Sequence, residues 1–150
     1  MHKIMFVCHG NICRSPMAEF LLKDLAKKKG QEADFIIKSS ATSREEEGNP
    51  VYPPVRRILN GLGINCFGKY ATVLTKSDGD EYDYFICMDD ANVKNATRIL
   101  GESKKDKIKK LLDFTGEFRG VSDPYWTGDY DSVYSDISRG VEALYKFLTE

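Results

Sequence analysis

Val7-Cys8-His9-Gly10-Asn11-Ile12-Cys13-Arg14-Ser15-Pro16 lies between two different hydrophobic patterns. Before it, Ile4-Met5-Phe6-Val7 is an apolar run of strand length. After it, Met17, Phe20, Leu21 and Leu25 recur at helical spacing. Pro16 suits a first helical turn, where its missing N–H has no intrahelical partner. The stretch therefore reads as strand, loop and helix. In such a turn the loop N–H groups and the helix N-terminus converge on one point and form an anion site. Cys8 opens the loop. Arg14 closes it with a planar fork of donors that matches two phosphate oxygens. The same dipoles and Arg14 favour a thiolate at Cys8. A Cys-x5-Arg spacing alone carries little weight, and Cys8 by type could be a small apolar strand residue. Its place between strand and helix, with Gly10 inside and Ser15-Pro16 following, implies a bound phosphoryl group with sulfur beneath its phosphorus.

Outward from this turn, strands and helices alternate. The first strand is expected at about Lys3 to Val7, and the first helix at about Pro16 to Lys29 with Gly30 as its C-cap. Phe35-Ile36-Ile37 reads as a second strand ending at Ser39-Ser40-Ala41, followed by a polar loop from Thr42 to Tyr52. Pro53-Pro54 opens a helix with Val55, Ile58, Leu59 and Leu62 on its apolar face, ended by Gly61 and Gly63. Ile64 to Asp80 is irregular, with a short helical turn at Thr75. The third strand is Tyr84-Phe85-Ile86-Cys87-Met88. A helix from about Ala91 to Leu100 follows, with Asp90 as its N-cap. Lys107 to Leu112 reads as the fourth strand. Asp113 to Tyr130 is a long loop, the kind that usually carries function. The last helix, about Ser132 to Leu148, carries an aliphatic stripe of Val133, Ile137, Val141, Leu144 and Leu148. Such alternation implies parallel pairing and right-handed crossovers, hence a small doubly wound α/β sheet of four parallel strands with helices on both faces. The reactive loop leaves the carboxyl end of the first strand, where these folds bind ligands.

The chain has 150 residues and a formal net charge of −1. That size suits one domain with a sizeable core. The balanced charge gives no argument for nucleic acid or a membrane surface. The apolar run near the start is too short for a signal peptide, and no segment has the length of a bilayer span. Cys8, Cys13, Cys66 and Cys87 show no paired metal-ligand spacing, and the adjacent Asp89 and Asp90 have no further ligand at suitable spacing. Neither a metal nor another cofactor is expected. Thiolate chemistry needs a reducing compartment, so a cytoplasmic location is expected.

The loop motif together with Asp123-Pro124-Tyr125-Trp126 far downstream resembles the low-molecular-weight protein tyrosine phosphatase family, and the resemblance covers essentially the whole chain. It implies hydrolysis of phosphotyrosine in proteins, with phosphate or another oxyanion held in the loop. Cys8 is then the nucleophile that forms a phosphocysteine. Arg14 and the amides of His9, Gly10, Asn11, Ile12 and Cys13 hold the phosphoryl oxygens. Ser15 donates to the thiolate. Asn11 is expected to fix the loop through side-chain hydrogen bonds, and Gly10 to permit backbone geometry that a larger residue would resist. His9 contributes only its N–H.

By type, Asp123 before Pro124 is also a common turn pair, and Tyr125 and Trp126 are also common core residues. The resemblance makes Asp123 the general acid, then the base, and makes the two aromatics pocket walls that stack on an aryl ring. It also makes Asp89 a buried carboxylate near the loop. Cys13 reads either as a buried small hydrophobe or, as in many relatives, as a redox partner of the nucleophile. Cys66 and Cys87 read as structural. Lys69 stands where several relatives have a histidine that supports the loop asparagine. The rim segment Ser43-Arg44-Glu45-Glu46-Glu47 stands where relatives often have an aromatic. It reads as a solvated loop or as a rim that repels acidic peptides. Two relatives of the same fold compete. Arginine phosphatases carry threonine where Ile12 stands, and arsenate reductases need a further cysteine pair that Cys66 and Cys87 do not match.

Overall fold

The computed structural model describes residues 1–150. Four parallel strands form one sheet in the order β2-β1-β3-β4: β1 (His2–Cys8), β2 (Phe35–Ala41), β3 (Tyr84–Cys87) and β4 (Ile108–Lys110). Five helices accompany them: α1 (Arg14–Lys28), α2 (Pro53–Gly61), α3 (Asp90–Leu100), the single turn α4 (Pro124–Thr127) and α5 (Tyr130–Thr149). In β1, Cys8 pairs with Ala41 of β2, and Val7 pairs with Cys87 of β3. The strand order turns away from β1 on both sides, so its carboxyl end is the crevice of the sheet.

Side chains alternate along a strand, and β1 feeds both faces. Ile4, Phe6 and Cys8 enter the larger core with Met17, Leu22, Leu59, Val133, Ile137 and Leu144. Met5 and Val7 enter the smaller one with Phe85, Ala96, Leu100 and Ile108. Helices therefore cover both faces, as in a doubly wound fold. Ile4 and Phe6 are fully buried, each contributing about 1.5–3 kcal/mol by leaving water. The alternation also sets the direction of Cys8, which shares the face of Ile4 and Phe6, beneath α1.

Gly30, at φ +70°, follows the last turn of α1, and its N–H donates to the Lys27 carbonyl. Three expectations need correction. The fourth strand covers only Ile108–Lys110, because Leu111–Thr115 turns into a 3₁₀ segment that buries Leu111 and Leu112 under α5. The N-cap of α3 is Asp89, not Asp90: its carboxylate accepts from Asn92 N at 2.8 Å, and its own N–H donates to the Asn92 side chain at 3.1 Å. Asp90 is exposed and pairs with Lys110. The long loop is interrupted by α4, which Pro124 starts and Gly128, at φ +69°, ends.

Candidate active site

Residues Cys8 to Arg14 wrap the carboxyl end of β1 and lead into α1. The Asn11 backbone is left-handed, at φ +60°, and is the only non-glycine residue with positive φ. Asparagine tolerates this conformation better than other side chains do. Gly10 is not in that region. A Cβ at Gly10 would meet Glu46 Cγ at 3.3 Å, a tight contact that the Glu46 side chain would have to ease.

The Asn11 side chain has a defined orientation. Its Oδ1 accepts from Thr72 N at 3.1 Å, so Nδ2 faces the other way. Nδ2 donates to Ser39 Oγ at 2.9 Å and to Ser15 Oγ at 2.8 Å. Both hydroxyls accept from Asn11 and must direct their own hydrogens elsewhere. Ser39 donates to the buried Glu19 carboxylate at 2.5 Å. Ser15 then points its hydrogen at Cys8 Sγ, 2.9 Å away. Asn11 N–H reaches the same sulfur at 3.3 Å. Two donors thus converge on the Cys8 sulfur.

Lys69 stands one step behind Asn11. It donates to the Ser39 carbonyl at 2.8 Å and faces Glu19 at 3.4 Å. Burial pulls its ammonium below the ordinary value, and the Glu19 charge opposes that. The support for Asn11 is therefore Ser39 and the Thr72 amide, with Glu19 and Lys69 holding Ser39 in place. Sequence reading missed Glu19, because a helical glutamate at this spacing looks like any solvated one.

Arg14 is only 3 % exposed. One terminal nitrogen donates to Asp89 Oδ2 at 2.7 Å and to the Val121 carbonyl at 2.8 Å. The other lies 3.6 Å from Asp123 Oδ2. Burial works against its charge, but Cys8, Asp89 and Asp123 outweigh that and hold the guanidinium above its ordinary value. Asp89 is partly exposed rather than buried; it anchors Arg14 and caps α3 at once. Asp123 caps α4, accepting from Tyr125 N at 3.0 Å.

These groups line one cavity of about 640 Å³. Cys8, His9, Gly10, Asn11, Ile12, Cys13, Arg14, Asp123, Tyr125 and Trp126 all face it. Ser15 does not; it is fully buried behind the sulfur and acts on Cys8, not on a ligand. Tyr125 and Trp126 are 73 % and 80 % exposed and stand edge to face at 4.9 Å, as rim walls and not as core. Tyr52 and Tyr130, stacked at 6.4 Å, add a second aromatic pair to the lining that the sequence did not reveal. Glu45 and Glu46 complete the rim, with Glu45 tied to His9 Nε2 at 3.0 Å. Cys13 lies against the wall, and its thiol is pushed up to about 12 by burial, with the Cys8 and Asp123 charges adding to it. Cys66 and Cys87 are buried, and burial pushes both thiols up. No three His, Cys, Asp or Glu side chains converge as a metal site. No helix is long and apolar enough to cross a membrane.

The family model for the low-molecular-weight phosphotyrosine protein phosphatases matches residues 3–150. The chain belongs to that family. It is 38 % identical over 146 residues to the low-molecular-weight protein-tyrosine-phosphatase YfkJ of Bacillus subtilis, covering 96 % of this chain and 94 % of that one. The crystal structure of YfkJ superimposes with a TM-score of 0.95 at 37 % identity, over 99 % of this chain and 94 % of YfkJ. A phosphatase of the family from Streptococcus pyogenes gives 0.89 at 36 % identity, over 100 % and 95 %. An arginine phosphatase from Drosophila also gives 0.89, at 26 % identity over 99 % and 98 %. The family's fold therefore hosts phosphatases named for different substrates, and the pocket must decide between them.

Proposed function

We propose that this chain hydrolyses phosphotyrosine in proteins, and small aryl phosphates, through a phosphocysteine on Cys8. One observation carries the reading: the Cys8 sulfur at the cavity floor receives the directed Ser15 hydroxyl and the Asn11 N–H, with Arg14 beside it and Asp123 above. The phosphoryl group enters with its oxygens on the loop amides and the Arg14 fork. Cys8 attacks phosphorus in line, an S–P bond forms, and the P–O bond to the phenol breaks. A phenolate leaving group has a conjugate-acid pKa of about 10, so it needs a proton as it departs. Asp123 supplies it, then takes one back from the water that attacks the phosphocysteine. Inorganic phosphate leaves, and Cys8 returns as the thiolate that Ser15 stabilises.

The walls favour an aryl substrate. Tyr125, Trp126, Tyr52 and Tyr130 make the cavity deep and aromatic, and Ile12 gives its lining an apolar contact. A phosphoserine is too short to reach the sulfur past such walls, and Ile12 offers no polar partner to a guanidinium. The reading treats residues 1–150 as one catalytic domain, working in the reducing cytoplasm on phosphoprotein substrates. The test is turnover on matched phosphotyrosine, phosphoserine and phosphoarginine peptides, with and without a chelator. Phosphotyrosine should be fastest, and the chelator should change nothing. Faster release from phosphoarginine, or activity lost to the chelator, contradicts the proposal.

A further inference from the structure

Asp123 sits on a segment that leaves the sheet after β4 and returns to the start of α5. Its inner side is held by backbone contacts. Val121 N–H donates to the Met88 carbonyl at 2.8 Å, and the Val121 carbonyl accepts from Arg14. Gly120 lies so close to Asp89 that a Cβ would meet Asp89 Cβ at 2.8 Å and Cα at 3.0 Å. These contacts fix a point but not a direction, because a chain can pivot about one stitched residue.

The outer side is held differently. Arg119 meets Asp136 of α5 with two parallel hydrogen bonds, both 2.9 Å. Such fork-to-fork pairing fixes orientation as well as distance. Asp136 is largely buried, unusual for a helix carboxylate facing a loop. Arg139, one turn on, donates to Asp136 at 2.8 Å and to Glu117 at 3.1 Å. Glu117 in turn accepts from Thr115 at 2.7 Å. The segment from Thr115 to Arg119 is thus clamped to α5 by a connected charge network, which is worth more than an isolated surface pair. None of these five side chains faces the cavity.

We propose that the Arg119–Asp136 pair, locked by Arg139 and Glu117, is a positioning device that aims Asp123 at the leaving group. Arg119 is four residues before Asp123 and on the far side of the Gly120–Val121 stitch. The stitch and the clamp together give two fixed points, and two points set a direction. The clamp has no part in holding phosphate, because Cys8, Arg14 and the loop amides do that without it. Its loss should therefore appear only in the two steps in which Asp123 moves a proton, delivery to the leaving group and removal from the attacking water. This inference rests on the role proposed for Asp123.

The test uses Arg119→Gln in the full chain. Arg119 is half exposed, so the variant is not expected to unfold the protein. Phenyl phosphate needs a proton on its leaving group; dinitrophenyl phosphate does not. The kcat/KM on phenyl phosphate, which reports the transfer to Cys8 and not the later hydrolysis, should fall roughly 10-fold to 100-fold, the effect of a misaimed catalytic group. The kcat/KM on dinitrophenyl phosphate, whose leaving group needs no proton, and inhibition by inorganic phosphate should stay within about 2-fold of the parent. Adding Asp136→Asn to Arg119→Gln should cost little more, since partners in one pair are not additive. Equal losses on both substrates, or no loss on either, overturn the proposal. Asp123→Asn is run beside it and should itself lose roughly 10²–10⁴-fold in kcat/KM on phenyl phosphate and far less in kcat/KM on dinitrophenyl phosphate. If Asp123→Asn shows no such discrimination, the acid assignment fails; if it does and Arg119→Gln does not, only the clamp fails.

Discussion

The Ser15 hydroxyl lies 2.9 Å from the Cys8 sulfur and accepts from Asn11 Nδ2 at 2.8 Å, which leaves its own hydrogen free for the sulfur. In the proposed mechanism this contact stabilises the attacking sulfur of Cys8. Ser15→Ala removes a charge-assisted hydrogen bond, so turnover on nitrophenyl phosphate should fall by about 10-fold or more. Substrate KM should change little, since Ser15 does not face the cavity. Steady-state kinetics check both numbers, and a change confined to KM would assign Ser15 to binding.

Asn11 performs two tasks, and substitution separates them. Asn11→Gly keeps the left-handed backbone and loses the side-chain bonds. Asn11→Ala loses both, and should be less stable than Asn11→Gly by about 1 kcal/mol or more, the cost of left-handed geometry with a Cβ. Both should be nearly inactive, because Ser15 and Ser39 lose their common donor. Urea unfolding followed by turnover assays measures the two effects. Equal stability of the two variants would remove strain from the account.

Ile12 lines the cavity, and the proposed preference for an aryl substrate turns on it. Ile12→Thr introduces a hydroxyl where a guanidinium could use one. Its phosphoarginine turnover relative to phosphotyrosine should rise by roughly 10-fold, the scale of one hydrogen bond in a closed pocket. Competition between the two phosphopeptides reads the ratio directly; an unchanged ratio would move the selectivity elsewhere on the wall.

Much of this was legible in the chain because its signals are local. A strand, a glycine-containing loop, an arginine and a proline-started helix are adjacent in sequence, so their chemistry could be read without a fold. The errors arose where two neighbours compete for one task. Asp89 and Asp90 are equally good caps by type; Asp89 takes the cap because it must also meet Arg14. Leu111 and Leu112 look like strand residues, but α5 approaches them at Gly140, and packing beneath it bends the chain into a 3₁₀ turn. What remained invisible depends on long-range pairing. Glu19 meets Ser39, Tyr52 meets Tyr130, and Arg119 meets Asp136, each joining elements far apart in sequence.

Cys13 yields a pH-dependent prediction. Burial and the Cys8 and Asp123 charges push its thiol up to about 12, so it stays protonated at neutral pH. A protonated thiol is a poor nucleophile, and only the thiolate captures a sulfenic acid. Oxidation of Cys8 removes one of the charges that hold Cys13 protonated. Mild peroxide should still give a Cys8–Cys13 disulfide that added thiol reverses. Its formation should accelerate severalfold per unit from about pH 7 to pH 9, as the thiolate fraction grows. Peptide mass mapping across that range checks it. A rate independent of pH, or a crosslink to Cys66 or Cys87, would assign Cys13 to packing alone.

In the proposed mechanism Cys8 carries the phosphoryl group between substrate and water. Rapid acid quench during turnover of a phosphotyrosine peptide, followed by mass spectrometry of the peptide containing Cys8, tests it most directly. A phosphoryl group should appear on Cys8 before free phosphate and be absent from Cys8→Ser, which should bind the peptide without turning it over. Label on any other residue, or a Cys8→Ser protein that still releases phosphate, would contradict it.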